Sequence, residues 1–309
     1  MRWTPADMPD LSGRRAIVTG ANSGIGFWTA LALAQHGAQV TLAVRDPAKG
    51  EAAAADIRQR GGHDVQVGHL DLASLASVRD FADTWGKDHT DGLDLLINNA
   101  GVMAIPRSLS TDGYEMQLAT NYLGHFALTG LLLPALTSQP QARVVNVSSN
   151  AHKMTKGIDF EDLMGERHYR AWRAYGQSKL AILLFTSELQ RHLDLLGSSI
   201  KIMAAHPGAA STDLYLVSSR LKQHDLVAGI TAKVMGVVGQ SPQMGALPTL
   251  FAATAPDLPG NSYIGPDQRF QWQGYPRVVD RSTAAKDADA ARRLWLLSEE
   301  LTSVQVPID

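Results

Sequence analysis

The chain of 309 residues is long enough for either one large α/β domain or two smaller domains. Its 28 basic and 30 acidic residues leave a formal net charge of −2, which provides no basic excess for binding nucleic acid or an anionic membrane. The sequence contains no cysteine, and this excludes disulfides, thiolate metal sites, iron–sulfur clusters and a cysteine nucleophile.

The N-terminal half alternates short apolar runs with segments of helical period. The apolar runs predict strands over residues 16–19, 39–44, 65–70, 93–97 and 143–147. The intervening segments predict helices over residues 26–36, 47–60, 75–85 and 114–133. Strands separated by helices indicate crossover connections, and therefore a parallel sheet with helices on both faces.

The same rhythm continues to the C-terminus without a repeat or a linker. It predicts a helix over residues 174–195 and a strand over residues 200–205. A final amphipathic helix would bury one face, formed by Ala290, Leu294, Leu297 and Leu301. We therefore expect one doubly wound α/β domain of Rossmann type over residues 1–309. Residues 13–210 would form the cofactor-binding and catalytic core. Residues 211–309 would add loops and helices that cover the substrate, with a C-terminal strand and helix; the structure of residues 211–241 is ambiguous from the sequence.

The sequence predicts a soluble, cytoplasmic protein. Its N-terminus lacks an apolar stretch of signal-peptide length. The longest apolar block, residues 127–136, is too short to span a bilayer and is interrupted by Thr129, Gly130 and Pro134. We accordingly expect neither a membrane nor a nucleic acid among its partners.

A glycine-rich turn, TGANSGIG at residues 19–26, joins the first predicted strand to the first predicted helix. Glycines in such a turn bring backbone N–H groups close to a pyrophosphate, and the positive end of the following helix stabilises its charge. The turn alone is a weak signal, but the strand before it and the helix after it are the context that the motif requires. The candidate dinucleotide-binding residues here are Gly20, Asn22, Ser23, Gly24, Ile25 and Gly26.

The end of the second strand indicates which nicotinamide cofactor is bound. A carboxylate at this position would accept the ribose hydroxyls of NAD and repel the 2′-phosphate of NADP. The residue here is the uncharged Val44, followed by Arg45, whose guanidinium can bind a phosphate bidentately. Asp46 reduces the local positive charge. The sequence therefore favours NADP(H), with NAD(H) as a possible alternative.

Tyr175 and Lys179 are four residues apart, so both side chains would lie on one face of the predicted helix. A free tyrosine has a pKa near 10 and is a poor acid or base at neutral pH. A nearby ammonium would favour the phenolate, and lowering the pKa by about 3 units requires roughly 4 kcal/mol. This spacing is also common on ordinary helices, so it needs support from the surrounding motifs.

That support comes from four motifs in a fixed order, which resemble those of the short-chain dehydrogenase/reductase family. They are the turn at residues 19–26, NNAG at 98–101, YGQSK at 175–179 and HPG at 206–208. The segments AVRD at 43–46, NYLGHF at 121–126 and VVNVSSNAH at 144–152 look most like the retinol-dehydrogenase-like branch, which includes many bacterial oxidoreductases.

The resemblance implies a catalytic tetrad of Asn121, Ser149, Tyr175 and Lys179. Ser149 would position the substrate oxygen, whereas Asn121 would support a water chain to Lys179. Further cofactor contacts are implied at Asp71, Leu72, Asn98, Ala100, Gly101, Pro207, Gly208 and Thr212, in addition to Tyr175 and Lys179. His206 would shape the loop beside the nicotinamide rather than take part in catalysis.

The expected reaction is a hydride transfer that interconverts an alcohol and a ketone or aldehyde, with Tyr175 as the general acid/base and no metal. Apolar residues near 154–172 and 214–217 favour a small hydrophobic substrate, although they could equally pack these loops. Two alternatives remain: a non-enzymatic NADP-binding redox sensor, and an epimerase or dehydratase of the same family. The sequence is compatible with a monomer or a homo-oligomer.

Overall fold

The computed structural model describes residues 2–209 and 240–307. In this part of the chain a single sheet contains eight strands. They are β1 (Arg15–Thr19), β2 (Gln39–Val44), β3 (Val65–His69), β4 (Leu95–Asn98), β5 (Arg143–Val147), β6 (Lys201–Ala205), β7 (Tyr263–Pro266) and β8 (Pro276–Val278).

The helices alternate with these strands along most of the chain. They are α1 (Gly24–Gln35), α2 (Pro47–Gln59), α3 (Leu75–Asp88), α4 (Met116–Leu118), α5 (Gly124–Thr137), α6 (Ala171–Leu195), α7 (Pro242–Thr254) and α8 (Ala288–Thr302). A π-helical turn, Ala119–Leu123, joins α4 to α5. Short 3₁₀ turns occur at Pro5–Asp7, Asn150–Met154, Arg269–Gln271 and Thr283–Lys286.

The strand order β3-β2-β1-β4-β5-β6-β7-β8 is that of a doubly wound sheet. All neighbouring strands are parallel except β7 and β8. The chain winds outward in opposite directions from β1 and β4, so a crevice forms beyond the carboxyl ends of these two strands. Ligands of open α/β sheets bind at this topological switch point.

Two apolar cores lie on opposite faces of the sheet. One is formed with α3, α5, α6 and α8, and includes Phe126, Phe185 and Trp295. The other is formed with α1, α2 and α7, and includes Leu33 and Ile57. Both faces are covered by helices, which explains why the central strands are mostly apolar on both faces. The predicted single α/β domain with a doubly wound sheet is confirmed.

The buried face of the final helix is wider than the sequence predicts. Of the predicted face, Leu294 is buried, and Ala290, Leu297 and Leu301 are half-buried. Ala291, Trp295, Ser298 and Thr302 are buried as well, and the two hydroxyl groups among them bond within the helix. Ser298 donates to the carbonyl of Leu294 at 2.7 Å, and Thr302 donates to that of Ser298 at 2.6 Å.

Two further strands lie near the C-terminus, where the sequence predicts only one without locating it. Strands β7 and β8 pair Pro266 with Pro276 at the edge of the sheet. Proline cannot donate to a ladder and is tolerated at edges, so these strands lack an ordinary apolar pattern. Most of the ambiguous region 211–241 lies outside the described residues.

Candidate active site

A cavity of about 750 Å³ opens at the switch point. Its lining includes most of the residues predicted for the site: Gly20, Asn22, Ser23, Gly24, Ile25, Gly26, Arg45, Asp71, Leu72, Ala100, Gly101, Ser149, Tyr175, Lys179, Pro207 and Gly208. Asn98 and Asn121 are not part of the lining, and Thr212 lies outside the described residues.

The glycine turn is packed against the loop that follows β4. Gly20 has a φ of +64°, and a Cβ atom on it would lie 2.9 Å from the Cβ of Ala100. A Cβ on Gly26 would lie 2.5 Å from both the side-chain nitrogen of Asn99 and the carbonyl oxygen of Gly20. Glycine is therefore required at both positions, because any side chain would separate the two segments.

The N-terminus of α1 faces this cavity. Ser23 is its N-cap residue, and its hydroxyl makes no capping hydrogen bond within the described part of the chain. The first N–H groups of the helix thus remain available for an anion, as the N-terminus of a Rossmann helix does for a pyrophosphate. The glycine turn and the uncapped helix fit a dinucleotide cofactor.

Arg45 and Asp71 lie at the carboxyl ends of β2 and β3. Arg45 is exposed, and its guanidinium makes no hydrogen bond or ion pair with the residues that the structure describes. Asp46 is engaged elsewhere: its carboxylate accepts the N–H of Lys49 at 3.2 Å and caps α2. The carboxylate of Asp71 accepts the N–H of Ala73 at 3.0 Å, which fixes the turn after β3.

Tyr175 and Lys179 project from the first turns of α6 into the cavity. The ammonium nitrogen of Lys179 lies 5.8 Å from the centre of the Tyr175 ring and donates to the carbonyl of Val147 at 2.8 Å. Burial lowers the pKa of Lys179 to about 7, so its charge is easily lost when no other acceptor is present. The remaining N–H donors of Lys179 can be used by a ligand.

The two serines after β5 differ in their surroundings. Ser148 is buried, and its hydroxyl donates to the carbonyl of Lys179 at 2.8 Å. Ser149 is half-buried; its hydroxyl accepts the N–H of Ala151 at 3.2 Å, and its proton remains available for a ligand in the cavity. This arrangement fits the predicted role of Ser149.

Asn121 lies behind the cavity wall in the π-helical turn. Its side chain binds both backbone groups of Val102: Oδ1 accepts the N–H at 2.8 Å and Nδ2 donates to the carbonyl at 2.9 Å. Nδ2 also donates to the hydroxyl of Ser178 at 2.9 Å. Asn121 therefore joins the loop after β4 to α6, directly beside Lys179. Such single π turns are frequent at functional sites.

Asn98 is placed differently from its prediction as a cofactor contact. It is buried on the α5 side of the sheet, where its Nδ2 donates to Thr129 at 3.0 Å and to Asn146 of β5 at 2.8 Å. Successive residues of a strand point to opposite faces, so the next residue, Asn99, lines the cavity instead. The motif alone does not indicate which asparagine faces the cofactor.

Two buried histidines hold the loops on the other side of the cavity. Nδ1 of His206 accepts the N–H of Gly208 at 3.2 Å, so Nε2 donates to the side chain of Gln271 at 3.1 Å. Burial lowers the pKa of His206 to about 3. His152 donates from Nδ1 to the carbonyl of Ser149 at 2.7 Å, and burial lowers its pKa to about 4. Both imidazoles are neutral supports for the loops, which is the role predicted for His206.

Part of the apolar wall of the cavity is not predicted by the sequence. The additional apolar lining residues are Val102, Met103, Ile105 and Trp272, beside the Met154 and Trp172 that were anticipated. Residues 102–105 could have been inferred from their position directly after the NNAG motif. Trp272 lies in an irregular loop that no sequence pattern locates at the cavity.

In the parts of the chain that are described, no group of three or more His, Cys, Asp or Glu side chains is arranged to hold a metal ion. Among the same residues, none of the helices has the length and apolar character needed to cross a membrane.

A glycine turn at the switch point of a doubly wound sheet defines a dinucleotide-binding α/β protein. Residues 14–220 match the sequence model described as short chain dehydrogenase. The chain is 41% identical to human retinol dehydrogenase 13 over 308 residues, covering 96% of this chain and 87% of the relative. It is 40% identical to mouse polyprenol dehydrogenase over 308 residues, with 97% and 87% covered.

Comparison with solved structures identifies proteins of the same fold. A crystal structure of an uncharacterized protein from Mycobacterium paratuberculosis has a TM-score of 0.80 and 47% identity, covering 99% of this chain and 100% of the other. A structure described as an NAD(P) dependent gluconate 5-dehydrogenase from Beutenbergia cavernae contains bound NADP. It has a TM-score of 0.61 and 26% identity, covering 79% and 91% of the two chains.

The chain belongs to the short chain dehydrogenase family, and its curated relatives support the retinol-dehydrogenase-like branch that the sequence predicts. It is an oxidoreductase acting on CH–OH and C=O groups. The family binds NAD(P), and the glycine turn that lines the cavity fits such a dinucleotide.

Proposed function

We propose that this protein uses NADP(H) to interconvert an apolar alcohol and its ketone or aldehyde, with Tyr175 as the general acid/base. The observation that carries the proposal is the shared cavity: the glycine turn, Ser149, Tyr175 and Lys179 all line it. A cofactor and a substrate bound there would lie between the same residues, as hydride transfer requires.

A nicotinamide held in this cavity would supply the hydride for reduction or accept it during oxidation. Ser149 donates its hydroxyl proton to the substrate oxygen and holds that oxygen beside Tyr175. During reduction Tyr175 protonates the oxygen, and during oxidation it removes the same proton. Lys179, which donates to the carbonyl of Val147, would favour the phenolate form of Tyr175 when charged, and its remaining N–H groups would hold the ribose of the cofactor. Asn121 fixes the position of the loop after β4 relative to α6.

The selection of NADP(H) rests on Arg45. It is exposed at the end of β2 and lines the cavity, and it forms no ion pair with Asp46, whose carboxylate caps α2. A guanidinium in this position can bind a 2′-phosphate through two parallel hydrogen bonds. The Arg45→Ala variant should therefore weaken NADP(H) binding while leaving NAD(H) binding almost unchanged; equal affinity losses for both would exclude Arg45 as the phosphate ligand.

The class of substrate rests on the apolar wall. Val102, Met103, Ile105, Trp172 and Trp272 line the same cavity as Tyr175, and none of these side chains carries a charge that could pair with a charged substrate group. The similar proteins named retinol dehydrogenase and polyprenol dehydrogenase bear the names of apolar alcohols. We infer an apolar primary or secondary alcohol, or the corresponding carbonyl compound.

The decisive experiment follows the absorbance of the reduced nicotinamide with a panel of apolar alcohols and ketones. The wild type should turn over with NADP(H), whereas Tyr175→Phe should bind the cofactor and lose activity by about 10²- to 10⁴-fold. Cofactor binding without turnover of any alcohol or carbonyl compound would favour a redox sensor. Unchanged activity in Tyr175→Phe would refute the proposed mechanism.

A further inference from the structure

His125, on the first turn of α5, is a buried histidine that the reaction described above does not use. It is 3% exposed and does not line the cavity. Each of its ring nitrogens nevertheless has a partner in a segment that does belong to the site. Nε2 lies 2.9 Å from the hydroxyl of Thr19, and Nδ1 lies 3.0 Å from the carbonyl oxygen of Asn121.

The hydrogen atoms can be assigned from the partners. The carbonyl of Asn121 can only accept, so Nδ1 of His125 carries a proton and donates it. The hydroxyl of Thr19 already accepts the N–H groups of Asn99 and Ala100, both at 2.9 Å. Its single proton is therefore free to be donated to Nε2 of His125, which is much closer than the alternative carbonyl of Ile97 at 3.4 Å.

This chain of hydrogen bonds connects two halves of the candidate site. On one side, Thr19 ends β1, precedes the glycine turn and holds the backbone of Asn99 and Ala100. On the other side, Asn121 joins Val102 to Ser178, the residue before Lys179. Both hydrogen bonds of the His125 ring are buried, and the chain is satisfied in one tautomer only, so it can hold a single relative position of the two halves.

We propose that His125 is a positioning residue: it connects the segment that lines the cofactor side of the cavity, through Thr19, to the segment that places Lys179, through Asn121. This inference rests on the proposed function of the same site. Removal of the imidazole would leave the hydroxyl of Thr19 and the carbonyl of Asn121 without their buried hydrogen-bond partner.

Three variants separate the two hydrogen bonds. His125→Phe keeps a ring of similar volume and removes both bonds. His125→Asn retains a short amide that can donate to the carbonyl of Asn121, and His125→Gln retains a longer amide that can accept from Thr19. His36→Phe is the matched control, because His36 also donates from Nδ1 to the carbonyl four residues earlier, at 2.8 Å, but at the far end of α1 from the glycine turn.

We expect His125→Phe to remain folded, to lower kcat by about 10- to 100-fold and to shift the pH profile of kcat, because Lys179 is displaced. His125→Asn or His125→Gln should recover part of kcat, and His36→Phe should match the wild type. A folded His125→Phe variant with the kcat and pH profile of the wild type would overturn the inference.

Hydrogen exchange provides a measurement that does not depend on activity. The amide protons of Asn99 and Ala100 should exchange faster in His125→Phe than in the wild type, because Thr19 is no longer oriented. Unchanged exchange at both amides would refute the positioning role even if the wild type proved inactive. Loss of wild-type turnover together with faster exchange would refute only the proposed function.

Discussion

Three buried histidines make the stability of this protein sensitive to mild acid. Burial lowers the pKa of His125 and His152 to about 4 and that of His206 to about 3, from an ordinary value of 6.5. At pH values between 6.5 and about 4, the unfolded chain binds protons at these histidines that the folded protein does not bind. The free energy of unfolding is therefore highest above pH 6.5 and falls as the pH is lowered towards 4.

The magnitude follows from the three shifts. At a pH near 4.5 each histidine lowers the free energy of unfolding by about 2 to 3 kcal/mol relative to neutral pH. Together they lower it by at most about 8 kcal/mol, which is comparable to the whole stability of a typical domain. Burial raises the pKa of the Glu115 carboxyl, so protonation of Glu115 offsets part of this loss. Partial relaxation of the buried sites also reduces it.

The assay is urea denaturation between pH 7.5 and 4.5, combined with NMR titration of the imidazole resonances. His152→Asn should lower the pH dependence by about one third relative to the wild type, since one of three proton differences is removed. His63→Asn is the control, because His63 is exposed to solvent in the folded and the unfolded chain. A free energy of unfolding that stays constant over this range, or buried imidazoles that titrate near pH 6.5, would refute the reasoning.

Other predictions concern single side chains. Binding of NADP(H) near pH 8 should be accompanied by uptake of a proton, because burial lowers the pKa of Lys179 to about 7 and the hydrogen-bond acceptors of the cofactor would restore its charge. Calorimetry in two buffers of different ionisation enthalpy measures this uptake, and Lys179→Met should abolish it. Trp295→Ala should lower the free energy of unfolding in urea by about 3 to 5 kcal/mol, since its ring packs against Phe126, whereas the exposed Leu296→Ala should change it by about 0.5 kcal/mol or less. Gly26→Ala should lower Tm and weaken cofactor binding, because its Cβ would meet the carbonyl of Gly20 at 2.5 Å; Gly157→Ala, in open space, should do neither.

The fold could be predicted because most of its helices and strands have a local signature. Apolar β-branched runs and helical spacing indicate β1 to β6 and most of the helices between them, and their alternation indicates a parallel sheet covered on both faces. The failures occur where side chains satisfy each other in ways that no period reveals. Ser298 and Thr302 are buried in α8 because their hydroxyls bond within the helix. Strands β7 and β8 are short and contain proline, and β8 is the edge strand of the sheet.

The site could be predicted where a residue faces the cavity and not where it supports another residue. The glycine turn, Tyr175 and Lys179 belong to motifs whose spacing carries the chemistry, and all of them line the cavity. The network of Thr19, His125 and Asn121 connects positions that are more than a hundred residues apart in its longest step. Only the folded chain brings them together, so a single sequence shows His125 as an isolated histidine.

The electrostatics of the cavity narrow the choice of acid/base group. Its ionisable lining residues, within the described part of the chain, are Arg45, Asp71, Tyr175 and Lys179. Arg45 does not deprotonate near neutral pH, and Asp71 is used by the turn after β3. The neighbouring histidines are excluded, because both ring nitrogens of each are occupied by partners in the protein. Under the proposed function, proton transfer near neutral pH is therefore assigned to Tyr175 and Lys179. We expect the pH profile of kcat to report that pair, and substitution of His206 to alter substrate binding without adding or removing an ionisation from the profile.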